Sequence, residues 1–463
     1  MEIGEYIQRN EVGDAKLFQE LFKEDYCFDP STHTWYRWEK HYWVEVEGSG
    51  MLDAIDLVVK VYTAERDSKV GDWWKKEIDK RINSLNTLRR RTSVLRLAEA
   101  LYSRDLGTIH WGSIPWKLPC VNGVVDLKTG ELDHGKQGDY QRSYCPTKFV
   151  GLKAPCRRWG EFLLEIMGGN EEMVRYIQRL VGYAMSGTAG EGVFPVLWGK
   201  GRNGKGTMLE VLGKVLGDFA TSVSSSLLMA QTYSRNSAAP SPDLMKLQGK
   251  RLVWANETGE GQKLSTAVVK WLVGGDSIVA RPPYGREEIT FRPTHTLFLL
   301  TNHKPQVDAG DYAIWQRIHL IPFTQSFVDN PIQLNEHQRD VDLIRRFTKV
   351  EDQGILAWAI RGCLDWQDMG LFPPVAVKAT TVEYAEEEDT IQSFLKECCV
   401  ISNNDLWVRA VDLYQVYRTW TLRRGLSCGN MVKFGRDLAG QVKKRRVSRG
   451  VEYCLFLRPG WDM

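Results

Sequence analysis

Lys205 ends a glycine-rich run, Gly199-Lys200-Gly201-Arg202-Asn203-Gly204, and is followed by Gly206 and Thr207. Glycines at this density let a backbone wrap closely enough to turn several N–H groups onto one polyphosphate. A helix starting near Lys205 adds free N–H groups and the positive end of its dipole. Gly-x4-Gly-Lys between a strand and a helix is the P-loop pattern, in which the lysine reaches the β- and γ-phosphates and a hydroxyl holds Mg2+. The candidate nucleotide-binding residues are therefore Gly199, Gly201, Asn203, Gly204, Lys205, Gly206 and Thr207. One position departs from the common form. The hydroxyl that usually follows the lysine is replaced by Gly206, and Thr207 comes one residue later. Either Thr207 takes the metal by a small shift, or the metal is held mainly through water.

Three residues further along fit the same chemistry. Glu257 follows the apolar run Leu252–Ala255 and Asn256. A carboxylate at the C-terminal end of a neighbouring parallel strand is placed to activate water and share the metal. Many such strands end in two acids; Asn256 at the first position leaves Glu257 as the sole strong base. Asn302 ends the run Thr296–Thr301, where an amide can orient the attacking water or touch the γ-phosphate. Arg317 lies between apolar residues in Ala313–Phe323. A guanidinium is costly to bury unpaired, so it needs either an intrachain carboxylate or a phosphate bound by a neighbouring subunit.

The elements that must position these groups follow from periodicity. Phe194–Trp198 predicts a buried strand, and Met208, Leu209, Val211, Leu212 and Val215 predict a helix after the glycine loop. Leu252–Ala255 and Thr296–Thr301 predict two more strands, with a helix over Ser265–Val273 between them. Ile278–Arg281 and Glu288–Arg292 predict a hairpin whose tip carries Tyr284 and Arg286. A ring and a cation on such a tip can grip a phosphate backbone; an ordinary exposed hairpin is the alternative. Helices over Arg157–Met167 and Glu171–Met185 predict a collar packed in front of this core, behind a two-stranded turn in Cys120–Leu132.

Residues 326–388 read as helical and end in an acidic run, Glu386–Asp389. Residues 389–463 read as three helices (Thr390–Cys399, Ala410–Arg423, Asn430–Gln441) and a terminal strand pair, the outline of a winged helix. This segment holds 13 Lys and Arg against 7 Asp and Glu, a net +6, where the whole chain carries only +3. Lys443, Lys444, Arg445 and Arg446 cluster beside the strand pair and suit a phosphate contact; a solvated basic tail is the other reading. In residues 1–105, amphipathic helices are expected over Lys16–Phe22 and Met51–Glu65. Thr34–Glu47 predicts a two-stranded hairpin with a Trp/Tyr core rather than a base-stacking surface. The helical segment Trp73–Leu101 is expected to carry Arg89, Arg90 and Arg91 on a solvated face.

At 463 residues, 43% hydrophobic and 26% charged, the chain is long enough for two to four globular domains. No apolar run approaches the roughly 20 residues of a membrane span, and the charged N-terminus has no signal core. Nine scattered cysteines without a Cys-x-x-Cys pair weigh against zinc and fit a reducing cytosol, so a cytoplasmic protein is expected.

Six stretches in order, NGVVDLKTGEL, GKGRNGKGT, GKRLVWANETGEG, LVGGDSIVAR, THTLFLLTNHKP and AIWQRIHLIPF, resemble the superfamily 3 helicase part of the poxvirus and phage/plasmid primase–helicase family. The resemblance covers about residues 106–463 and is thinnest over residues 1–105. It implies an α/β fold. An AAA+-type P-loop core with a parallel sheet (193–325) would follow an α+β accessory region (1–105) and a helical collar (106–192). A helical segment (326–388) would close the core and a winged helix (389–463) would end the chain. It also implies ATP and Mg2+ as cofactors, a hexameric ring, and 3′ to 5′ movement on single-stranded and forked DNA in the replication of a phage, plasmid or other mobile element.

By the match, Lys205 and Thr207 lie in motif A, Glu257 in motif B and Asn302 in motif C as sensor. Thr207 and Glu257 would hold the metal. Arg317 would be an arginine finger acting in trans, and Arg281 with the hairpin tip would face the DNA channel. Many relatives carry an N-terminal primase–polymerase domain. Residues 1–105 offer neither its paired carboxylates nor a zinc knuckle, so any primase is expected to be a separate protein or to have been cut away. Two other readings share these residues: an origin-binding AAA+ initiator and a remodelling ATPase without unwinding. A helicase acting on RNA fits the winged helix and collar less well.

Overall fold

The computed structural model describes every residue except 1–2, 48, 69–70, 107–110, 113, 232–240, 257–258, 260, 284–287, 402–405, 425–427 and 462–463. The candidates Glu257, Tyr284 and Arg286 lie outside the described residues.

The N-terminal region opens with α1 (Ile3–Gln8) and α2 (Asn10–Phe22), then β1 (Tyr26–Asp29), β2 (Thr34–Trp38) and β3 (Trp43–Glu45). These strands form one antiparallel sheet, so the expected hairpin gains a third strand on its N-terminal side. Trp35, Tyr36 and Trp43 are buried, which makes most of the aromatic alternation core. Helices α3 (Gly50–Ser68), α4 (Asp72–Leu85) and α5 (Leu88–Leu106) follow. The single helix expected over Trp73–Leu101 is broken at Asn86, whose N–H caps α4.

Of the arginine triplet, Arg89 is exposed as expected, while Arg90 and Arg91 depart from the solvated face. Asp14 of α2 is fully buried, and it accepts from Tyr62 Oη (2.8 Å), Arg81 Nη1 (3.0 Å) and Arg90 Nη2 (2.6 Å). Arg91 donates to the carbonyls of Leu85 (2.8 Å) and Leu52 (2.9 Å) and pairs with Asp56. Sequence alone could not expose this, because the partners lie on other helices. Asp14→Ala removes the buried carboxylate shared by Tyr62, Arg81 and Arg90, leaving Arg81 its bonds to Ile7 and Asn10 and Arg90 its pair with Glu11, and is expected to cost about 3–5 kcal/mol. Urea unfolding followed by tryptophan fluorescence reads that loss; a midpoint like that of the unsubstituted protein would show that the cluster carries little stability.

Strands β4 (Lys117–Cys120), β5 (Gly123–Asp126) and β6 (Glu131–Asp133) form a three-stranded antiparallel sheet, one strand more than expected. Residues 111–144 pack back onto the first sheet: Trp111 Nε1 donates to Asp29 (2.6 Å), and Tyr42 stacks on Tyr144 at 4.3 Å. Helices α6 (Arg157–Ile166) and α7 (Glu171–Ser186) follow.

The central layer is one five-stranded, wholly parallel sheet. It comprises β7 (Phe194–Trp198), β8 (Ala220–Ser224), β9 (Leu252–Asn256), β12 (Thr296–Thr301) and β13 (Ile318–Pro322). The spatial order is β13-β7-β12-β9-β8. All six residues of β12 are buried, as expected of a strand covered on both faces. Between these strands run α8 (Lys205–Leu216), α9 (Pro242–Met245), α10 (Thr266–Val273), the antiparallel pair β10 (Ile278–Ala280) and β11 (Ile289–Phe291), and α11 (Tyr312–Trp315).

One expectation about this sheet fails. The strand ending in Asn256 is not a neighbour of the P-loop strand, because β12 lies between them. Strand order depends on crossover connections, not on local residue pattern.

The segment after the sheet is not helical throughout. Residues 326–338 form a short parallel pair, β14 (Ser326–Val328) and β15 (Glu336–Gln338). Pro331 in the connection cannot continue a helix. Helices α12 (Leu343–Lys349), α13 (Asp352–Met369) and α14 (Val375–Glu388) come next. Helix α13 crosses α7 at a glycine contact: a Cβ on Gly182 would fall 2.0 Å from the Cys363 nitrogen, and one on Gly362 would fall 2.1 Å from the Gln178 oxygen.

The last elements are α15 (Thr390–Cys398), β16 (Cys399–Ile401), β17 (Trp407–Arg409), α16 (Ala410–Arg423), α17 (Met431–Asp437), β18 (Lys444–Val447) and β19 (Gly450–Leu457). Strand β19 pairs with the other three, so two strands beyond the expected pair join it. Among the described residues, no helix is long and apolar enough to cross a membrane.

Candidate nucleotide site

The glycine loop sits where the sheet requires it. Strand β7 ends at Trp198, and the Gly199 N–H donates to the Thr301 carbonyl of β12 (3.3 Å). Gly199 is pressed against the chain after β13, since a Cβ there would lie 2.2 Å from the Phe323 oxygen. Gly204 has φ +85° and a Cβ on it would fall 2.4 Å from Ile166 Cγ2, so α6 closes on the loop only because this residue has no side chain. Helix α8 then starts at Lys205, with its first-turn N–H groups facing out from the loop.

Lys205 is only 6% exposed. Its Nζ donates to the Gly199 carbonyl (2.5 Å) and to Asn302 Oδ1 (3.3 Å), and the Gly201 N–H donates to the same Asn302 oxygen (3.2 Å). Asn302 therefore joins lysine and loop, because β12 is inserted beside β7 with Thr301 level with Trp198. Asn203 is buried and its Nδ2 donates to the Phe323 carbonyl (3.4 Å), a contact within the fold.

Gly206 is exposed, and a Cβ there would meet nothing within 4 Å, so crowding does not explain the missing hydroxyl. Thr207 is half-buried and lines a cavity of about 370 Å³ with Phe162, Arg202, Phe327, Arg339 and Asp340. These residues come from separate segments, and nothing in the sequence pattern links them.

Asn256 of β9 is level with Leu300 of β12, at the same edge of the sheet as the loop. Two strand spacings put β9 about 10 Å from β7.

Arg317 lies elsewhere. Ile318 is level with Phe194 and Pro322 with Trp198, so Arg317 is at the opposite end of the sheet from the glycine loop. Five residues at about 3.3 Å each separate it from the loop by about 16 Å. It is held by α11, whose N-cap Asp311 accepts from Ile314 N (3.3 Å) and from Lys270 Nζ (2.8 Å). Burial pushes the Asp311 carboxyl up, but these donors outweigh it and hold the carboxyl below its ordinary value. Arg317 Nη1 donates to the Ala313 carbonyl (2.7 Å), while its buried Nε has no partner among the described residues. No carboxylate pairs with it among the described residues.

The nucleic-acid candidates fall on two surfaces. Arg281 leaves β10, and its backbone bonds Ser241 in both directions, by the Ser241 N–H to the Arg281 carbonyl (3.0 Å) and the Arg281 N–H to Ser241 Oγ (3.5 Å). Lys443, Lys444, Arg445 and Arg446 are all exposed. The alternation of β18 puts Lys444 and Arg446 on one face and Arg445 on the other. Arg445 is already committed, donating to Glu452 (2.8 Å) with its guanidinium 4.2 Å from the Trp407 ring.

Arg251 is a side chain that sequence reading missed. It is buried beneath β9, donates to the Met185 (2.7 Å) and Lys117 (2.5 Å) carbonyls, and lies 4.5 Å from the Phe219 ring. Burial lowers its pKa to about 10. It ties β4 and α7 to the sheet.

Residues 15–168 match the family described as D5 N terminal like, and residues 197–317 match a family of unknown function, DUF5906. The first match runs through residues 15–105, where the sequence resemblance had been thinnest. "Putative helicase L207/L206" of Acanthamoeba polyphaga mimivirus is 26% identical over 436 residues, covering 88% of this chain and 45% of the relative. "Putative helicase 022R" of Frog virus 3 is 27% identical over 235 residues, 48% of this chain and 24% of the relative. "Putative primase C962R" of African swine fever virus is 25% identical over 219 residues, 45% of this chain and 22% of the relative. The chain thus spans less than half the length of these relatives. Among solved structures, the apo C-terminal region of NrS-1 aligns with 96% of this chain at a TM-score of 0.49 and 11% identity, too loose a likeness to carry any inference.

Proposed function

We propose that the chain, similar to putative helicases and primases of large DNA viruses, is a member of the superfamily 3 primase–helicase family and acts as an ATP-dependent replicative DNA helicase. The observation that carries the reading is the insertion of β12. It sets Asn302 against Lys205 and Gly201 and puts the end of β9 one strand beyond, on the other side of β12. The strand order with β12 in the middle supports an AAA+-type core.

In this reading the triphosphate lies over the start of α8, and Lys205 turns from Gly199 and Asn302 onto the β- and γ-phosphates. Asn302, released from the lysine, touches the γ-phosphate or its water. Glu257, at the end of β9, takes the proton of the attacking water. The base and ribose occupy the cavity beside Thr207, between Phe162 and Phe327.

Mg2+ needs few protein ligands, because it keeps waters and shares phosphate oxygens. The Thr207 hydroxyl and Glu257 are a sufficient donor set; bound there, the ion would neutralise charge developing on the phosphates. Arg317 completes the site of a neighbouring subunit, which its place at the far end of the sheet favours. That requirement supports a homo-oligomeric ring, here taken as a hexamer. DNA passes the β10–β11 tip with Arg281, Tyr284 and Arg286. The α15–α17 unit with β18–β19 acts as a winged helix, its ridge of Lys443, Lys444 and Arg446 on a phosphate backbone. A 3′ to 5′ direction and a separate primase complete the proposal.

Steady-state ATP hydrolysis with and without a single-stranded oligonucleotide tests it, together with displacement on a forked duplex. DNA-stimulated hydrolysis with strand separation is expected. Hydrolysis indifferent to DNA, with no separation, would replace the helicase by an initiator or remodelling ATPase.

A further inference from the structure

The acidic end of α14 does not mark a loose boundary; it is bound to the loop that leaves Asn302. Lys304 Nζ pairs with Glu387 (2.6 Å), Tyr384 Oη donates to the Pro305 carbonyl, and the Val307 N–H donates to the Glu388 carboxylate (2.9 Å). Lys304 also lies over two rings, 4.6 Å from that of Trp198 and 5.4 Å from that of Tyr384. Trp198 is the residue before Gly199, so one ammonium touches the root of the glycine loop and the last turn of α14 together.

The same loop is held from the other side. The Gln306 N–H donates to the Gln262 carbonyl (2.8 Å), and the Leu264 N–H donates to the Gln306 carbonyl (2.8 Å), on the segment that follows β9. Residues 304–307 are thus clamped between the chain leaving Glu257 and the end of α14. No linker separates α14 from the C-terminal unit. Glu388 ends α14, and Asp389 is the N-cap of α15, accepting from the Gln392 N–H (2.8 Å). Glu386 of α14 also pairs with Lys396 of α15 at 3.8 Å.

We propose that Lys304 is a positioning residue that couples nucleotide occupancy at the Asn302 loop to the orientation of the C-terminal unit, through Glu387 and Glu388 at the end of α14. A γ-phosphate that draws Asn302 off Lys205 shifts residues 302–307. That shift reaches α15 as a displacement of the end of α14, because Lys304, Pro305 and Val307 are bonded to that end while Gln306 is bonded to the segment after β9. An ion pair holding a two-state element in this way transmits only the free energy by which the two states differ. The inference rests on the nucleotide site proposed above.

Hydrogen exchange of residues 384–398 in the full chain, with and without a non-hydrolysable ATP analogue, tests it. The analogue is expected to change exchange in this segment of the unsubstituted chain. Lys304→Met and Glu387→Gln should abolish that response while binding the analogue as before, and Lys304→Arg should restore it. kcat should fall with KM unchanged in the first two variants. Glu387→Gln keeps size and polarity, so it reports even if Lys304→Met misfolds. A nucleotide response retained in both variants would overturn the coupling, as would analogue binding without any response in the unsubstituted chain. Failure of the unsubstituted chain to bind the analogue would overturn the nucleotide site itself, and the coupling with it.

Discussion

Arg317→Ala is expected to lose about 10³- to 10⁵-fold in ATP hydrolysis while its affinity for ATP stays near that of the unsubstituted chain. The geometry sets both halves of this expectation. Strands β13 and β7 run parallel with Ile318 level with Phe194, so the arginine starts at the end of the sheet away from its own glycine loop. It is directed onto α11 by its bond to the Ala313 carbonyl. Its own subunit's nucleotide is out of reach, so removing it should not weaken binding there.

The charge it would stabilise belongs to a neighbour, and the neighbour's hydrolysis is what should fall. Mixing gives the sharper measurement. A chain with Arg317→Ala still has Lys205, and a chain with Lys205→Ala still has Arg317. Where the two meet in the right order, one intact site forms, and two inactive proteins together should recover hydrolysis. No recovery on mixing, or normal hydrolysis by Arg317→Ala alone, would remove Arg317 from the reaction.

Lys205→Ala should lower kcat by about 10²- to 10³-fold, the scale for removing one preorganised donor from developing charge, and should weaken ATP binding as well. The side chain is buried against its own loop, with its charge met by the Gly199 carbonyl and Asn302 Oδ1. Truncation leaves the Gly199 carbonyl short of a donor, and Lys205→Met, which fills the same space, separates that cost from the loss of charge. Both variants should be equally inactive in single-turnover hydrolysis. Activity in Lys205→Met close to that of the unsubstituted chain would mean that the ammonium does not act on phosphate.

Local signals were legible where local forces decide them. Strand Phe194–Trp198, the helix from Lys205 and strand Thr296–Thr301 have the limits their apolar runs and glycines imply. Contacts between distant segments were not legible. Arg90 and Arg91 read as part of a solvated face because their partners, Asp14 and Asp56, lie on helices α2 and α3. The pair β14–β15 was hidden for a similar reason, since each strand has only three residues and finds its partner across a proline-containing connection.

The sequence by itself determined the chemistry available: a glycine loop ending in Lys205, an acid at Glu257, an amide at Asn302 and an arginine at 317. These depend on residue type and on short spacing along single strands and turns. Only the tertiary structure decided which of them meet. Inserting β12 between β7 and β9 brought Asn302 to Lys205 and held the end of β9 one strand further off, while the parallel register of β13 sent Arg317 to the far end. Strand order and register are fixed by crossovers and burial summed over the whole sheet, and no window of the sequence contains that sum.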